Sequence, residues 1–509
     1  MLNGRFEFIS GKEFLSFLLK ISQKKCTFVQ LQNYIYTTIK LNKTLTNILS
    51  DFRFWIIIFF VIRLIGITNP PLEPAHNWRQ TTVAMVARNF LEVDNNICYP
   101  RLDLAGEKTG ITGMEFPLLN YLIYLLSEVF GYQHWYGRLI NLIFSSLGLW
   151  YFFMLVKKYF SPKTAFNASL ILMFSIWFTY SRKIMPDTFS MSLILASIYY
   201  GTNYFQSNSK RALNLCLYFL LTTLGMLSKL PSAYLLAIFV LFVFDKKIEL
   251  SKKITFSFIS VLSLTISVSW YFYWVPHLVE KYHFWYFFMG NSIIDGAKEI
   301  TTNIVSALDN FYNAALKYLG FTVFLIGLLY AILKKEKNLL VVFLVSSLSF
   351  LFIILKMGVN FPRHSYYIIP FVPIMALLAG YGLDQIKYKN LSLILLIAIC
   401  SEGLLNRQHD FIIPSKNLTL LTLEAHLDKV SKKEDLILMN SGSSSTPMYF
   451  AHRKGWTVLN HEITQEGYIK GLQEIGLKFI VIIKNSANPM VNLNFPISFE
   501  NQYYCIYEV

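Results

Sequence analysis

The sequence predicts an α-helical polytopic membrane protein with about eleven transmembrane helices and a small α/β domain outside the membrane at its C-terminal end. Three observations carry this expectation. The 509 residues are 54% hydrophobic and 17% aromatic. Only 15% are charged, against about 25% in soluble domains, so most of the surface has to face lipid. The net charge of +16 comes from Lys and Arg placed in short clusters between long apolar runs, which marks cytoplasmic loops and argues against a nucleic-acid surface.

A bilayer crossing takes about 20 apolar residues, fewer where Trp, Tyr or basic side chains snorkel at the ends. The qualifying runs are 53–68, 138–156, 165–181, 189–205, 212–228, 231–244, 254–274, 319–333, 339–356, 366–383 and 391–404. The first acts as an uncleaved anchor, because the polar, Lys-containing segment before it has no small-residue cleavage site. One further run, 117–131, decides the parity. If it crosses, every later basic cluster changes sides. If it lies flat in the interface, then Lys157, Lys158 and Lys163, Lys210 and Arg211, Lys246 to Lys253, Lys334 to Lys337, and Lys387 and Lys389 all share one side with the Lys-rich N-terminus. That is the positive-inside pattern, so 117–131 is read as a juxtamembrane helix of a multi-pass inner (plasma) membrane protein.

The resulting organisation is a cytoplasmic segment (1–50), a transmembrane domain (51–405) and an extracytoplasmic α/β domain (406–509). In the last, β-type runs at Leu436–Met439, Thr457–Leu459 and Phe479–Ile483 alternate with helical patterns at 417–432 and 464–475. Outside the membrane this threading also places the loop 69–137, the turn 182–188 and the loop 275–318. The five cysteines, Cys26, Cys98, Cys216, Cys400 and Cys505, show no C-x-x-C and no His at ligand spacing, so neither a zinc site nor a disulfide framework is indicated. No internal repeat is visible, which weighs against a transporter built from inverted repeats.

Chemistry is expected on the outer side. Loop 69–137 is too long to be a connector and carries Glu73, His76, Trp78, Arg79, Gln80, Arg88, Asp94, Arg101, Asp103, Glu107 and Glu115. Within it, Val83, Val86, Ala87 and Phe90 fall at i, i+3, i+4, i+7, so residues 79–92 can lie as an amphipathic helix on the membrane surface. Glu115 stands just before a Pro-led helix, where it is either a functional carboxylate or only a cap. In SRKIMPDTFSM, Asp187 follows Arg182 and Lys183; an acid in so short a turn is a functional suspect, or an N-cap paired with Arg182. Lys229 in SKLP, and Arg363, His364 and Tyr366 in FPRHSYYIIP, stand at span ends, where cations hold a lipid phosphate or merely anchor a helix. Trp270–Trp274 and the HFWYFF stretch from His283 read as an interfacial aromatic belt, also suited to a lipid tail or sugar face.

In order, side and spacing, these segments resemble the GT-C glycosyltransferases, in particular the bacterial ArnT-like branch of the dolichyl-phosphate-mannose protein mannosyltransferases. The resemblance spans about residues 53–405. HNWRQTTVAMVARNFLE, YPRLD and GMEFPLLNYLIYLLSEVFG resemble the family's first outer loop, and GRLINLIFSSLGL its second span. SRKIMPDTFSM resembles its second loop, SKLP its span-end Lys, and PRHSYYIIPFVPIMALLAGYG its Arg-Tyr-Pro segment. One departure stands out: the family carries an acidic pair where this chain reads Arg79-Gln80. The role of that acid is left to Glu73, His76 or Glu115.

The resemblance implies transfer of a sugar from a polyprenyl-phosphate carrier to a lipid, protein or glycan acceptor at the outer face. Such a transfer needs a base for the acceptor proton, negative charge near an oxocarbenium-like centre, and cations for the lipid phosphate. The base is expected at Glu115 or Asp187, with His76 and Glu73 behind them. Phosphate and substrate binding is expected from Arg79, Lys229 and Arg363, with Gln80, Arg88, Arg182, His364 and Tyr366 as further candidates. No cofactor is indicated; a divalent cation would need Glu73, His76 and Glu115 gathered by the loop. The rivals are a transporter or lipid flippase, which calls for ionisable residues at mid-membrane depth, a non-catalytic scaffold, and an O-antigen-ligase or polymerase type of transferase.

Overall fold

The computed structural model describes residues 43–206, 210–285, 287, 290–407, 412–484, 491 and 493–509. Residues 1–42, the larger part of the expected cytoplasmic segment, lie outside the described residues. By internal contacts the chain forms two units, 1–55 and 56–509. In the first, helix Lys43–Ser50 is followed by Asp51, whose carboxylate pairs with Arg53 at 2.5 Å. The candidate site lies wholly in the second.

Each of the eleven apolar runs is helical, but they are unequal. Tyr136–Tyr159, Arg211–Ser228, Leu250–Tyr282, Lys337–Met357 and Ser365–Gln385 are each long and apolar enough to cross a membrane. Ile304–Ala315 and Lys317–Leu333 qualify together across a 95° bend. Phe52–Leu64, Pro162–Phe174, Pro186–Gln206, Leu230–Phe244 and Lys389–Leu405 are shorter or carry more polar residues. The 165–181 run is interrupted at Ser175, whose hydroxyl accepts from Trp177 N at 3.1 Å and starts a new short helix, Ile176–Tyr180. Leu118–Phe130 has 13 residues. At about 1.5 Å per residue it falls short of a hydrocarbon core of about 30 Å, in keeping with the parity argument.

The first loop differs from its expected form. Helix Asn77–Glu92 was expected to lie on the membrane with one apolar face, yet every residue from Arg79 to Phe90 is buried. Val83 and Ala87 pack with Leu119, Ile123, Ile140 and Phe189 on one side. The other face, Thr81, Thr82 and Arg88, is covered by the C-terminal segment: Thr82 Oγ1 meets Ser445 Oγ at 2.9 Å, and Arg88 donates to Tyr449 O at 3.0 Å, while its other arm pairs with Asp103 of the loop itself at 3.1 Å. The four periodic residues therefore divide, Val83 and Ala87 facing this first cluster and Val86 and Phe90 the C-terminal segment, where hydrogen-bonded polar residues complete the contact.

That covering segment carries a five-stranded sheet of β1 (Leu436–Met439), β2 (Gly455–Thr457), β3 (Leu477–Ile483), β4 (Ile497–Glu500) and β5 (Tyr504–Glu508), in the order β2-β1-β3-β5-β4. The first three strands are parallel; β5 runs antiparallel to β3, and β4 to β5. Gly455 is required where β2 meets β1, since a Cβ there would stand 1.7 Å from Ile437 O. The loop docks on this edge through Gly106 N to Gly455 O at 2.8 Å and Gly455 N to Asp103 O at 2.9 Å. Loop residues Met85, Val86, Phe90 and Met114 share one core with Ile437, Met439, Tyr449, Phe479 and Ile506.

His452 fastens the same contact. Its Nε2 lies 2.8 Å from Glu92 on the loop helix and its Nδ1 2.6 Å from Glu424. The two carboxylates raise its pKa above 6.5, and the His452 hydrogen bond leads the effects that pull Glu424 down to about 2. The His452 contribution is full below pH 6.5 and fades as pH climbs through its raised folded value; the Glu424 share is full above pH 4.5 and fades toward about 2. Docking is expected to be tightest between pH 4.5 and 6.5. Amide exchange over residues 77–92 is expected to be slowest in that window, and His452→Gln to flatten the dependence.

Candidate active site

Four interruptions of regular helix bring the site together. The break at Ser175 leads into the turn Ser181–Met185, after which Asp187 sits in the first turn of Pro186–Gln206. Lys229 follows helix Arg211–Ser228 in an extended conformation, with φ −163°. His364 precedes the 3-10 stretch Ser365–Phe371. His76 starts the loop helix in the left-handed region, φ 59°, a conformation that costs a non-glycine residue about 1–3 kcal/mol and is found where function constrains the backbone.

At their meeting point is a cluster of rings and charges. The His76 ring lies 4.9 Å from Tyr366 and 5.7 Å from His364, with Tyr180 at 6.0 Å; Trp78 stands 5.9 Å from His364. Lys229 Nζ sits 5.1 Å from the Tyr366 ring centre and 5.4 Å from that of Tyr367, and pairs with Asp187 Oδ1 at 3.1 Å. Lys183 reaches Ala75 O at 2.6 Å, beside Tyr180. Burial, reinforced by Lys183, His364 and Lys229, pushes His76 down to about 3, so it is neutral at pH 7; burial lowers His364 as well.

A second ion pair flanks the cluster. Arg79 pairs with Glu115 and lies over the Phe287 ring at 5.2 Å. Glu115 is fixed from both sides: Phe116 N donates to Leu227 O at 3.0 Å, two residues before Lys229, and Trp270 Nε1 donates to Met114 O at 2.9 Å. Trp274 Nε1 similarly reaches Cys98 O at 2.9 Å. Of the expected aromatic belt, therefore, Trp270 is a buried tie to the loop and Tyr271 a buried tie to Leu227 O of helix Arg211–Ser228 at 2.8 Å, while Phe272 and Tyr273 are 70% exposed. Each ion pair is half complete. Asp187 Oδ2 and Arg79 Nη1 are buried without a hydrogen-bond partner, a costly condition that a ligand can relieve.

The remaining candidates stand elsewhere. Glu73 pairs with Arg138 and accepts from Gln80 Nε2 at 3.1 Å, and Gln80 Oε1 accepts from Ile184 N at 3.2 Å. Arg88 faces the C-terminal segment. Arg182 turns away from its neighbour Lys183 and donates to Ile65 O, so the second loop's cation at the cluster is Lys183. Arg363 is exposed. Among the described residues no group of three or more His, Cys, Asp or Glu is arranged to hold a metal ion, so Glu73, His76 and Glu115 are not gathered as a cation site. Arg138 escaped attention in the sequence, although an Arg at the head of an apolar run is a signal in itself.

Broken helices, a long first loop and a C-terminal α/β segment packed on that loop frame the site. Residues 115–274 match the family model described as dolichyl-phosphate-mannose-protein mannosyltransferase. Among solved structures, ArnT from Cupriavidus metallidurans bound to undecaprenyl phosphate superposes with a TM-score of 0.58 at 12% identity, over 89% of this chain and 98% of that one. The Archaeoglobus fulgidus oligosaccharyltransferase in complex with Zn and sulfate matches with a TM-score of 0.55 at 12% identity, over 84% of this chain and 67% of that one. Its form tethered to an acceptor peptide matches at 0.52 and 12%, over 84% and 69%. No curated protein sequence matches significantly. The chain shares the fold of these solved proteins, its apolar helices make it a multi-pass membrane protein, and the mannosyltransferase match covers the stretch holding Glu115, Asp187 and Lys229. The transporter alternative finds no support in these matches.

Proposed function

We propose that the protein moves a sugar from a polyprenyl-phosphate carrier to an acceptor at the outer face of the inner membrane, with its N-terminus in the cytoplasm. The observation that carries this reading is the pair of half-complete ion pairs, Lys229–Asp187 and Arg79–Glu115, on a His/Tyr cluster at the span ends. Lys229 and Arg79 hold the lipid phosphate, Arg79 through its unpartnered Nη1. When Lys229 turns to the phosphate, Asp187 is released from its pair, and its Oδ2 takes the proton of the attacking acceptor hydroxyl. The acceptor oxygen bonds to the anomeric carbon, the bond from that carbon to the phosphate oxygen breaks, and polyprenyl phosphate leaves with its charge on the two cations. Glu115 orients Arg79. His76, neutral in the empty site, gains basicity as a bound phosphate offsets Lys183 and Lys229, and steadies the phosphate or the acceptor hydroxyl by hydrogen bonding. Glu73, Gln80 and Arg138 brace the first loop against the second.

Polyprenyl-phosphate binding by the purified protein tests this reading. The parent is expected to bind it saturably, and Lys229→Met and Arg79→Gln each to weaken binding by about tenfold or more, the scale of a lost charge-assisted contact in a buried site. Equal binding by parent and variants would remove these cations from the phosphate site.

A further inference from the structure

A cavity of about 290 Å³ lies where the first-loop helix meets the carboxyl ends of the parallel strands β1 and β3. Ligands of open α/β sheets bind at that edge, and the volume falls near the lower bound of about 300 Å³ for small-molecule sites. Its walls include Asn77, Lys416, Thr446, Lys484, Tyr503 and Tyr504, and none of its lining side chains is acidic. Lys484 is neutralised by Glu500 at 2.5 Å, and the Tyr504 hydroxyl is engaged by His426 at 2.6 Å. Lys416 is exposed and has no side-chain partner among the described residues. Amides, hydroxyls, tyrosine rings and one uncommitted ammonium are the equipment for a polyhydroxylated ligand with negative charge.

Its position ties it to the candidate active site. Asn77 lines the cavity, while its chain neighbours His76 and Trp78 belong to the ring cluster. The C-terminal segment is held against the same turn by Ser445 Oγ donating to Trp78 O at 2.8 Å.

We infer that this cavity binds the acceptor of the transfer through an anionic saccharide portion, with Lys416 taking the charge and Tyr503 a sugar face. The acceptor role rests on the glycosyltransferase reading; saccharide binding does not. The test uses the full-length protein in lipid nanodiscs and isothermal titration with three probes: trigalacturonate, a trimannoside ending in mannose 6-phosphate, and neutral maltotriose. At least one anionic probe is expected to bind about tenfold more tightly than maltotriose, and which of them binds distinguishes a carboxylate from a phosphate. Lys416→Glu and Tyr503→Ala are each expected to weaken it by about tenfold while polyprenyl-phosphate binding stays at the parent level. Absence of anionic-saccharide binding, or binding unchanged in both variants, overturns the inference. Saccharide binding by a parent that ignores polyprenyl phosphate would keep the cavity as a saccharide site and overturn its acceptor role together with the donor reading.

Discussion

Replacing Asp187 with Asn is expected to lower kcat for sugar transfer by about 100- to 10,000-fold, the range for loss of a positioned general base. The side chain keeps its shape and an oxygen for Lys229, so folding and polyprenyl-phosphate binding should persist. What disappears is the acceptor of the proton, since an amide cannot take the role of the buried, unpartnered Oδ2. The effect should fall on kcat with KM for the donor little changed, which separates this variant from Lys229→Met, whose primary loss is donor affinity. Burst measurements of polyprenyl-phosphate release would show the split. A rate within a few-fold of the parent would move the base to Glu115 or His76.

The largest effect on stability is expected at Arg138. Its side chain is 0% exposed, and it joins Glu73, itself 3% exposed, to the backbone oxygens of Ile67, Asn69 and Pro70. Arg138→Met leaves the Glu73 carboxylate buried and three carbonyls short of a donor. Breaking a buried pair from one side costs about 3–5 kcal/mol. The double variant with Glu73→Met removes the stranded charge and should recover part of that loss, though not the part due to the carbonyls. Thermal unfolding in detergent of the two single variants and the double variant measures the coupling; a single variant as stable as the parent would show that the pair is dispensable.

Much of this architecture was legible in the sequence, and the exceptions have physical causes. Apolar runs marked the helices, because lipid imposes its requirement on each segment separately. Strands β1 and β3 were legible as apolar runs, and β2 was displaced by two residues because Gly455, with no side chain, is set by close approach to Ile437 O. Strands β4 and β5 were missed: Ile497–Glu500 is only partly covered, and Tyr504–Glu508 mixes polar groups into a buried strand. At the site, residue types and loops were readable, but orientation was not. Adjacent Arg182 and Lys183 diverge to opposite sides of one turn, and Glu73 joined Arg138 across 65 positions. The order of segments resembled a family; which cation meets which carboxylate was decided only by packing.

The most direct test of the central claim is transfer itself. Purified full-length protein, supplied with radiolabelled polyprenyl-phosphate sugars and cell-envelope lipid as acceptor source, is predicted to release polyprenyl phosphate and label an acceptor, and to lose both with Asp187→Asn while remaining folded. Transfer that is equal in the parent, Asp187→Asn and Glu115→Gln would contradict the assigned site, and a parent that accepts no polyprenyl-phosphate donor would contradict the glycosyltransferase reading.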